Sequence, residues 1–299
     1  MIERALELRG PLDLAGTLGP LAHGRGDRTI RLTSGEAWLA FRTPDGPATL
    51  RLRLTAADCL AAAAWGRGAA HAIDGAGLLV GESDRPEAFI AVHPVLRRLQ
   101  RIHNGLRLPQ TRRVFHALLP SVLEQKVTGR EAHTAYAAIV RAWGEPAPGP
   151  APLRLQPPPD ALAVTPYWAF HPLGVERKRT ATIQMAASRA RRVEETVAMA
   201  APDAHRRLQA LPGVGPWTSA EVAIVALGDA DAVSVGDFHL PHLVSYALTG
   251  EPRGSDERML ELLAPWPGHR GRVLRLLTRS GRYPDRRGPR MAVRAFTRI

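Results

Sequence analysis

Residues 211–218, Leu-Pro-Gly-Val-Gly-Pro-Trp-Thr, constrain the fold more than any other part of the sequence. Gly213 and Gly215 allow positive φ angles and close approach of other backbone, and segments with helical patterns, 203–210 and 217–228, flank them. The pattern predicts two helices joined by a tight glycine hairpin. Exposed amides at the start of the second helix would form a phosphate site that reads shape and not base sequence. An ordinary turn between two helices is the alternative interpretation.

The charge of the chain favours a polyanionic partner. It has 40 Lys+Arg against 28 Asp+Glu, which gives a formal net charge of +12, and its pI is about 11.1. Such an excess is typical of proteins that bind nucleic acid, although a basic solvated surface would give the same numbers. Only Lys126 and Lys178 are lysines, so chemistry that needs a lysine amine has two candidate side chains and the N-terminus.

The last part of the chain is the most basic. After residue 250 there are 12 arginines and five acidic residues. A run with short spacing places several arginines on one helix face: Arg270, Arg272, Arg275, Arg279 and Arg282. This face is interpreted either as a solvated helix surface or as a surface that contacts phosphates.

The single cysteine and the N-terminal residues exclude several classes of protein. Because Cys59 has no partner, the chain cannot form an intramolecular disulfide, a Cys-ligated zinc site or an iron–sulfur cluster of its own. The first residues lack a signal pattern, and no apolar run reaches 18 residues. We therefore expect a soluble, intracellular protein without a membrane partner.

Two secondary-structure patterns divide the chain and indicate an α+β fold. Alternation within residues 29–54 predicts antiparallel strands, with hairpin turns at Ser34-Gly35 and Asp45-Gly46. Thr55 has the position of an N-cap, and the alanine-rich run after it predicts a helix to about Trp65. An antiparallel sheet with flanking helices is thus expected over about the first 85 residues.

The rest of the chain has helical patterns almost throughout. Helical spacing or length marks the segments 89–102, 111–126, 130–143, 175–195, 203–210, 217–228, 238–249, 255–264 and 270–279. The proline-rich stretch 144–166 interrupts them, because no helix interior accepts Pro157-Pro158-Pro159. This stretch is either a domain linker or a loop within one helical domain.

Asp237 is the one carboxylate that the hairpin region singles out. The helix 217–227 is apolar nearly all round and is expected to be buried, and the segment after it leads irregularly to Asp237, where a new helix begins. On these residues alone, Asp237 can be a helix N-cap, which is a common role for aspartate.

The hairpin, followed by an Asp 22 residues after Gly215, resembles the helix–hairpin–helix DNA glycosylases, most closely the AlkA-type 3-methyladenine glycosylases. Three further segments are similar to that family: residues 115–128 with Gln125, residues 173–181, and residues 266–272. The resemblance covers most of the chain. It implies an N-terminal sheet domain over 1–88 and a helical glycosylase region over 89–299. Two helical subdomains, 112–229 and 89–111 plus 230–299, would then enclose the active-site cleft.

The resemblance also implies an activity and its site. The expected reaction is hydrolysis of the N-glycosidic bond of a damaged base, with alkylated bases favoured, after the base has been flipped from duplex DNA. Asp237 would be the catalytic carboxylate, since a negative charge stabilises the oxocarbenium-like sugar. The implied base pocket consists of Trp217, Trp168, Tyr167 and Phe238. The implied DNA contacts are Gln125, Lys126, Gly213, Val214, Gly215, Thr218, Arg270 and Arg272.

The remaining expectations concern ligands and surroundings. No cofactor is implied and no side-chain metal site; a monovalent cation on the main-chain carbonyls of Leu211 and Val214 is the one metal considered. The partner is double-stranded DNA that contains a damaged base, and the protein is expected to be a cytoplasmic, nucleoid-associated monomer.

Three departures from the family pattern affect the expected mechanism. Trp217 stands where relatives that also nick DNA carry a lysine, so we expect a monofunctional enzyme that leaves an abasic site. Lys126 stands where the AlkA type has an apolar wedge, and its ammonium would seek a phosphate or a base edge. Pro216 removes one amide from the hairpin. The alternatives are a non-catalytic protein that binds or senses distorted DNA, and a glycosylase for oxidised or deaminated bases.

Overall fold

The N-terminal part is an antiparallel sheet, as predicted, and it has five strands. The computed structural model describes residues 1–284. The strands are β1 (Ile2–Glu7), β2 (Ile30–Leu32), β3 (Glu36–Thr43), β4 (Gly46–Ala56) and β5 (Cys59–Trp65), in the spatial order β1-β5-β4-β3-β2. Leu50 and Leu52 of β4 are fully buried, whereas Arg53 between Leu52 and Leu54 is exposed, so one face of the sheet forms a core.

The predicted helix after Thr55 is wrong, because residues 59–65 form strand β5. This strand lies inside the sheet, between β1 and β4, and its Leu60, Ala62 and Ala64 pack in the same core as β4. Alanine favours helices in isolation, but the two hydrogen-bonded neighbours and the buried alternate positions override that propensity. Strand β1 was also absent from the sequence prediction.

Helices make up most of the remaining described chain. The helices are α1 (Leu14–Leu18), α2 (Ala69–Asp74), α3 (Ala76–Leu79), α4 (Pro94–Ile102), α5 (Val114–Leu123), α6 (Gly129–Trp143), α7 (Pro159–Val164), α8 (Tyr167–Phe170), α9 (Arg177–Ser188), α10 (Ala190–Glu194), α11 (Ala201–Gln209), α12 (Pro216–Val222), α13 (Leu240–Thr249), α14 (Asp256–Leu263) and α15 (Arg270–Leu277). A π-helical turn, Ala223–Leu227, extends α12. Each helix predicted beyond residue 88 is present, most of them in shortened form, although α6 and α11 begin earlier than predicted. The segment 175–195 is divided at Arg189.

Three clusters of buried side chains organise the fold. The first is formed mainly by α5, α6, α9 and α12, the second by the sheet with α1–α3, and the third by α4 and α13–α15. The sequence led us to expect a sheet domain and two helical subdomains. The boundaries of those domains stay a prediction, which this separation of cores supports.

The proline-rich stretch 144–166 is tied to the sheet and is not a free linker. Ala151, Leu153 and Leu155 pack against Trp38 and Ala40 on the face of β3 that points away from the sheet's main core. The stretch therefore fixes the sheet to the helical region. No helix within residues 1–284 is long and apolar enough to cross a membrane.

Candidate active site

The glycine hairpin joins α11 to α12, as the sequence predicted. Gly213 has φ of +86°, and a Cβ placed there would collide with the Thr182 side chain of α9. Glycine is therefore required for its conformation and for its packing. The amide nitrogen of Gln125 donates to the Gly213 carbonyl (2.9 Å) and to Thr218 Oγ1 (2.8 Å). The end of α5 and the face of α9 thus hold the hairpin between them.

Asp237 and Trp217 form a hydrogen-bonded pair across the two helical clusters. Trp217, in the first turn of α12, donates its indole N–H to Asp237 Oδ2 at 3.0 Å. The other oxygen, Oδ1, accepts the backbone N–H groups of His239 (2.7 Å) and Leu240 (2.8 Å) at the start of α13. Both side chains are half-buried. The carboxylate is consequently fixed by three donors and keeps access to solvent.

A cavity of about 170 Å³ lies where the three cores meet. Its walls come from α5, the α12 helix with its π-helical turn, the loop before Asp237, α15 and the segment after α1. Ser234, three residues before Asp237, lines this wall, as does Leu240, whose backbone N–H donates to Asp237 Oδ1. The cavity therefore adjoins the elements that carry the Trp217–Asp237 pair.

Polar side chains give this cavity an unusual electrostatic character. Burial, reinforced by the nearby carboxylates of Glu124 and Asp237, raises the pKa of Glu221 to about 7 although Ser234 Oγ donates to it. Burial next to Arg113 lowers the pKa of His116 to about 3, so this imidazole is neutral.

Two nitrogen atoms in the cavity wall have no hydrogen-bond partner among residues 1–284. They are His116 Nε2 and Arg275 Nε, both of which are buried. Burial lowers the pKa of Arg275 to about 10, a value that still keeps the guanidinium charged at neutral pH. The cavity can thus offer donors and acceptors to a polar guest.

The predicted pocket aromatics do not line this cavity. Trp168 and Phe238 are 73% and 79% exposed, and Tyr167 lies under the guanidinium of Arg177 at 4.9 Å. Trp217 contacts Asp237 but stands outside the cavity wall. The assignment of these four aromatics to a base pocket stays a prediction, and the cavity is lined by other side chains, both apolar and polar.

Two arginines of α15 that were predicted as DNA contacts, Arg270 and Arg272, form ion pairs within the protein, and their contact with DNA stays a prediction. Arg272 is 5% exposed and forms a buried ion pair with Asp84. Arg270 binds Asp231 through its guanidinium and its backbone N–H. Because these charges are compensated within the fold, they are poorly placed to neutralise phosphates. Arg286, Arg287, Arg290, Arg294 and Arg298 lie outside the described residues.

Other predicted DNA contacts also prove to be structural. Thr218 is 2% exposed and accepts from Gln125, and the Val214 side chain is packed in the first core. Their side chains are therefore unavailable to DNA, and the expected contact through the backbone of the hairpin stays a prediction. Gln125 directs both donors of its amide to the hairpin region.

Both lysines flank the hairpin and are exposed. Lys126 follows Gln125 directly and adopts a left-handed conformation with φ of +55°. Lys178 precedes Thr182, the residue that packs on Gly213, by one turn of α9. The sequence prediction identified Lys126 but not the position of Lys178 near the hairpin. That position depends on the contact between Thr182 and Gly213, which becomes visible only in the fold.

One set of side chains within residues 1–284 has the geometry to hold a metal ion. His23, Glu124 and His133 place one ligand atom each within 4.8 Å of one another. The expectation of no side-chain metal site did not consider this set. At the hairpin, the Leu211 carbonyl accepts the Val214 N–H at 3.0 Å, and the main-chain cation considered there stays a prediction.

Comparisons with known proteins were made for the whole chain. No protein-family model matches it. A probable bifunctional transcriptional activator/DNA repair enzyme AlkA from Mycobacterium tuberculosis is 32% identical over 162 residues, which cover 52% of this chain and 32% of that protein. The chain thus spans about one third of the length of the curated relatives it matches.

Solved structures match over nearly the full chain. A 3-methyladenine DNA glycosylase from Archaeoglobus fulgidus has a TM-score of 0.79 at 18% identity and covers 92% of this chain and 96% of its own. An 8-oxoguanine glycosylase/lyase from Clostridium acetobutylicum has a TM-score of 0.70 at 11% identity, with coverages of 93% and 96%.

The chain has the α+β fold of the helix–hairpin–helix DNA glycosylases. The hairpin and Asp237, which carried the resemblance in the sequence, occupy one site in this fold. The sequence match, over about half of this chain, is to a probable AlkA protein, which agrees with the resemblance stated from the sequence.

Proposed function

We propose that this protein is a monofunctional DNA glycosylase of base excision repair that removes damaged, chiefly alkylated, bases from duplex DNA. The observation that carries the proposal is the Asp237 carboxylate. It is fixed by Trp217 and by the start of α13 at the edge of a cavity between two helical cores. Similarity to glycosylases of the same fold supports the same reaction class.

Asp237 acts on the sugar as the base departs. Cleavage of the C1′–N bond leaves positive charge on C1′ and the ring oxygen, and a fixed carboxylate beside it lowers the energy of that state. Three N–H groups hold the carboxylate, so its position does not have to be organised during the reaction. The free lone pair of Oδ2 can orient the water that attacks C1′.

The hairpin and its two lysines form the proposed DNA contact. Backbone amides near Gly213 and Gly215 would bind phosphate without reading sequence. The exposed side chains of Lys126 and Lys178, near the hairpin, would add two positive charges that attract the phosphates of the DNA. With the α15 arginines engaged elsewhere, these exposed charges are the local source of attraction for the duplex at the hairpin.

The reaction should stop at an abasic site. A glycosylase that also nicks DNA needs an amine nucleophile, and the residue that contacts Asp237 is Trp217. Borohydride should therefore trap no covalent complex with DNA. A trapped adduct that disappears in Lys126→Ala would contradict the monofunctional assignment and place Lys126 in the active site.

The test is base release under single-turnover conditions. Duplexes that each carry one alkylated, oxidised or deaminated base are incubated with excess protein, and abasic sites are revealed with alkali. Asp237→Asn should reduce the rate by several orders of magnitude with DNA affinity retained, because the side chain keeps its size and loses its charge.

Asp256→Asn is the matched control. Asp256 accepts the Gly236 N–H at 3.0 Å and so supports the same loop, but it makes no contact with Trp217. This variant should retain base release. Binding to damaged duplex without base release by the wild-type protein would favour the second candidate function, a sensor of distorted DNA.

The proposal also covers the partner, the oligomeric state and the cofactor of the protein. Double-stranded DNA with a damaged base is the partner, the protein acts as a monomer on nucleoid DNA, and no cofactor takes part.

A further inference from the structure

The cavity contains a carboxyl group that the proposed role of Asp237 does not use. Glu221 follows Trp217 by four residues in the chain, which places both on one face of the α12 helix. Its accessible surface faces the cavity, where it binds Ser234 from the loop that leads to Asp237. Glu221 is thus built into the same two elements that hold the Trp217–Asp237 pair.

The surroundings of Glu221 keep a proton on it near neutral pH. Glu221 is withdrawn from solvent in the cavity wall, and this burial is the main cause that raises its pKa to about 7. The carboxylates of Glu124, at the end of α5, and Asp237, before α13, add to the shift because they repel the ionised form of Glu221. Arg275 of α15 and the Ser234 hydroxyl oppose the shift.

Two further titratable groups share the cavity wall. The imidazoles of His23, after α1, and His116, on α5, both line it, and burial keeps His116 neutral. A carboxyl that titrates near neutral pH is well matched to general acid catalysis.

The size of the cavity suits part of a nucleobase. A cavity of about 150 Å³ accommodates one benzene ring, and this one has about 170 Å³. Its wall carries polar side chains, among them Glu221, Ser121 and Ser234, beside apolar ones such as Ile224 and Leu274, and a nucleobase has both apolar faces and a hydrogen-bonding edge.

We propose that Glu221 is a second active-site carboxyl, which gives its proton to a ring nitrogen of the flipped base and so extends base release to neutral damaged bases. This inference rests on the proposed glycosylase function. A cationic alkylated base leaves without help, because its departure neutralises it. A neutral base would leave as an anion, and protonation removes that cost.

The step balances without any co-reactant other than water. The C1′–N bond breaks and its electron pair goes to the base, while the Glu221 carboxyl proton moves to a ring nitrogen of the base. Water bonds to C1′ of the resulting cation, with Asp237 beside it, and one water proton returns through solvent to the Glu221 carboxylate. The products are the neutral base and a sugar hydroxyl.

The experiment compares a cationic with a neutral leaving group. Single-turnover release of 7-methylguanine and of hypoxanthine from otherwise identical duplexes is measured from pH 5.5 to 9. For the wild-type protein, the hypoxanthine rate should fall about tenfold per pH unit above the pKa of the acid, and the 7-methylguanine rate should not follow it. In Glu221→Gln, the hypoxanthine rate relative to that of 7-methylguanine should fall about 10²- to 10⁴-fold.

Glu194→Gln is the control for exchanging a buried carboxyl. Glu194 accepts the N–H groups of Val114 and Phe115 at the start of α5, and it is outside the cavity wall. Any loss in this variant should affect both bases by the same factor. A change in the ratio of the two rates therefore reports on proton donation and not on folding.

The outcomes separate the two proposals. If the wild-type protein releases neither base, nor any other lesion, the glycosylase function itself fails. If it releases 7-methylguanine but not hypoxanthine, or if Glu221→Gln changes both rates equally, the function stands and the role of Glu221 is overturned. Should Glu221→Gln fold poorly, the difference between the two wild-type pH profiles decides alone, and profiles of the same shape contradict the inference.

Discussion

Replacing Glu221 with glutamine should change how the stability of the free protein depends on pH. The folded protein raises the pKa of this group from 4.5 to about 7. At pH values between 4.5 and about 7, Glu221 therefore keeps its proton in the folded protein but has largely lost it in the unfolded chain. Stability is therefore full below about pH 4.5, declines as the pH rises to about 7, and stays low above it.

The size of the effect follows from the shift. Each unit of pKa difference corresponds to about 1.4 kcal/mol, so ionisation of Glu221 costs the wild-type protein about 3 kcal/mol of unfolding free energy by pH 8. Glutamine cannot ionise. The difference in unfolding free energy, Glu221→Gln minus wild type, should thus grow by about 3 kcal/mol between pH 4.5 and 8.

Urea denaturation at half-unit steps of pH measures this difference directly. Subtracting the unfolding free energy of the wild type from that of the variant cancels the contributions of all other titrating groups. If the two free energies depend equally on urea concentration, both proteins expose the same amount of surface on unfolding. Glu7→Gln makes the same exchange at an exposed position on β1 and corrects for general effects of the substitution. Wild-type and Glu221→Gln curves that run parallel from pH 5 to 8 would refute the argument from burial.

Four other substitutions test individual contacts. Trp217→Phe keeps an aromatic ring but removes the donor to Asp237, so single-turnover base release should fall about 10- to 100-fold; an unchanged rate would show that the hydrogen bond is dispensable. Gln125→Ala removes two hydrogen bonds to the hairpin region and should cost about 1–3 kcal/mol in urea denaturation, whereas a loss below the error of the fit would contradict its structural role. Arg272→Ala leaves a buried charge unpaired and should cost about 3–5 kcal/mol of stability, and a folded variant with weakened DNA binding alone would restore the original DNA-contact assignment. Lys126→Leu should reduce the salt slope of DNA binding by about one in fluorescence titrations, with an unaltered slope placing Lys126 away from the duplex.

Most secondary structure of this chain could be predicted because it follows local periodicity. Leu50, Leu52 and Leu54 alternate with Arg51 and Arg53, and that alternation predicted β4. The alanines of β5 carry no such signal. Their strand conformation depends on hydrogen bonds to the neighbouring β4 and to β1 at the start of the chain, which a local propensity does not register, so local propensity gave a helix.

The site was predictable to the extent that its signals are local. The glycine hairpin and Asp237 lie within one short stretch of sequence, and both were identified. The partners of the arginines were not, because Arg272 reaches Asp84 at 188 positions' distance. An arginine that forms a buried ion pair has the same local sequence pattern as one that contacts phosphate.

Glu221 was overlooked for a related reason. In the sequence, it is one acidic residue in a helix that is apolar nearly all round, which is itself a signal, since an unpaired buried charge is costly. Its meaning depends on Ser234 and on the cavity, and both become visible only when the loop before Asp237 is folded against α12.

Capping and catalysis are compatible roles for Asp237, although the sequence presented them as alternatives. Oδ1 receives both backbone donors at the start of α13, and Oδ2 receives the Trp217 indole, so each oxygen has a separate task. The backbone N–H groups of His239 and Leu240 fix the direction of the carboxylate, and the Trp217 indole fixes its distance from α12. Because three donors share its negative charge, the carboxylate is better suited to stabilise a cation at C1′ than to attack it. The hydrogen bonds from the backbone N–H groups of His239 and Leu240 are therefore a means by which the fold holds the proposed catalytic charge in place.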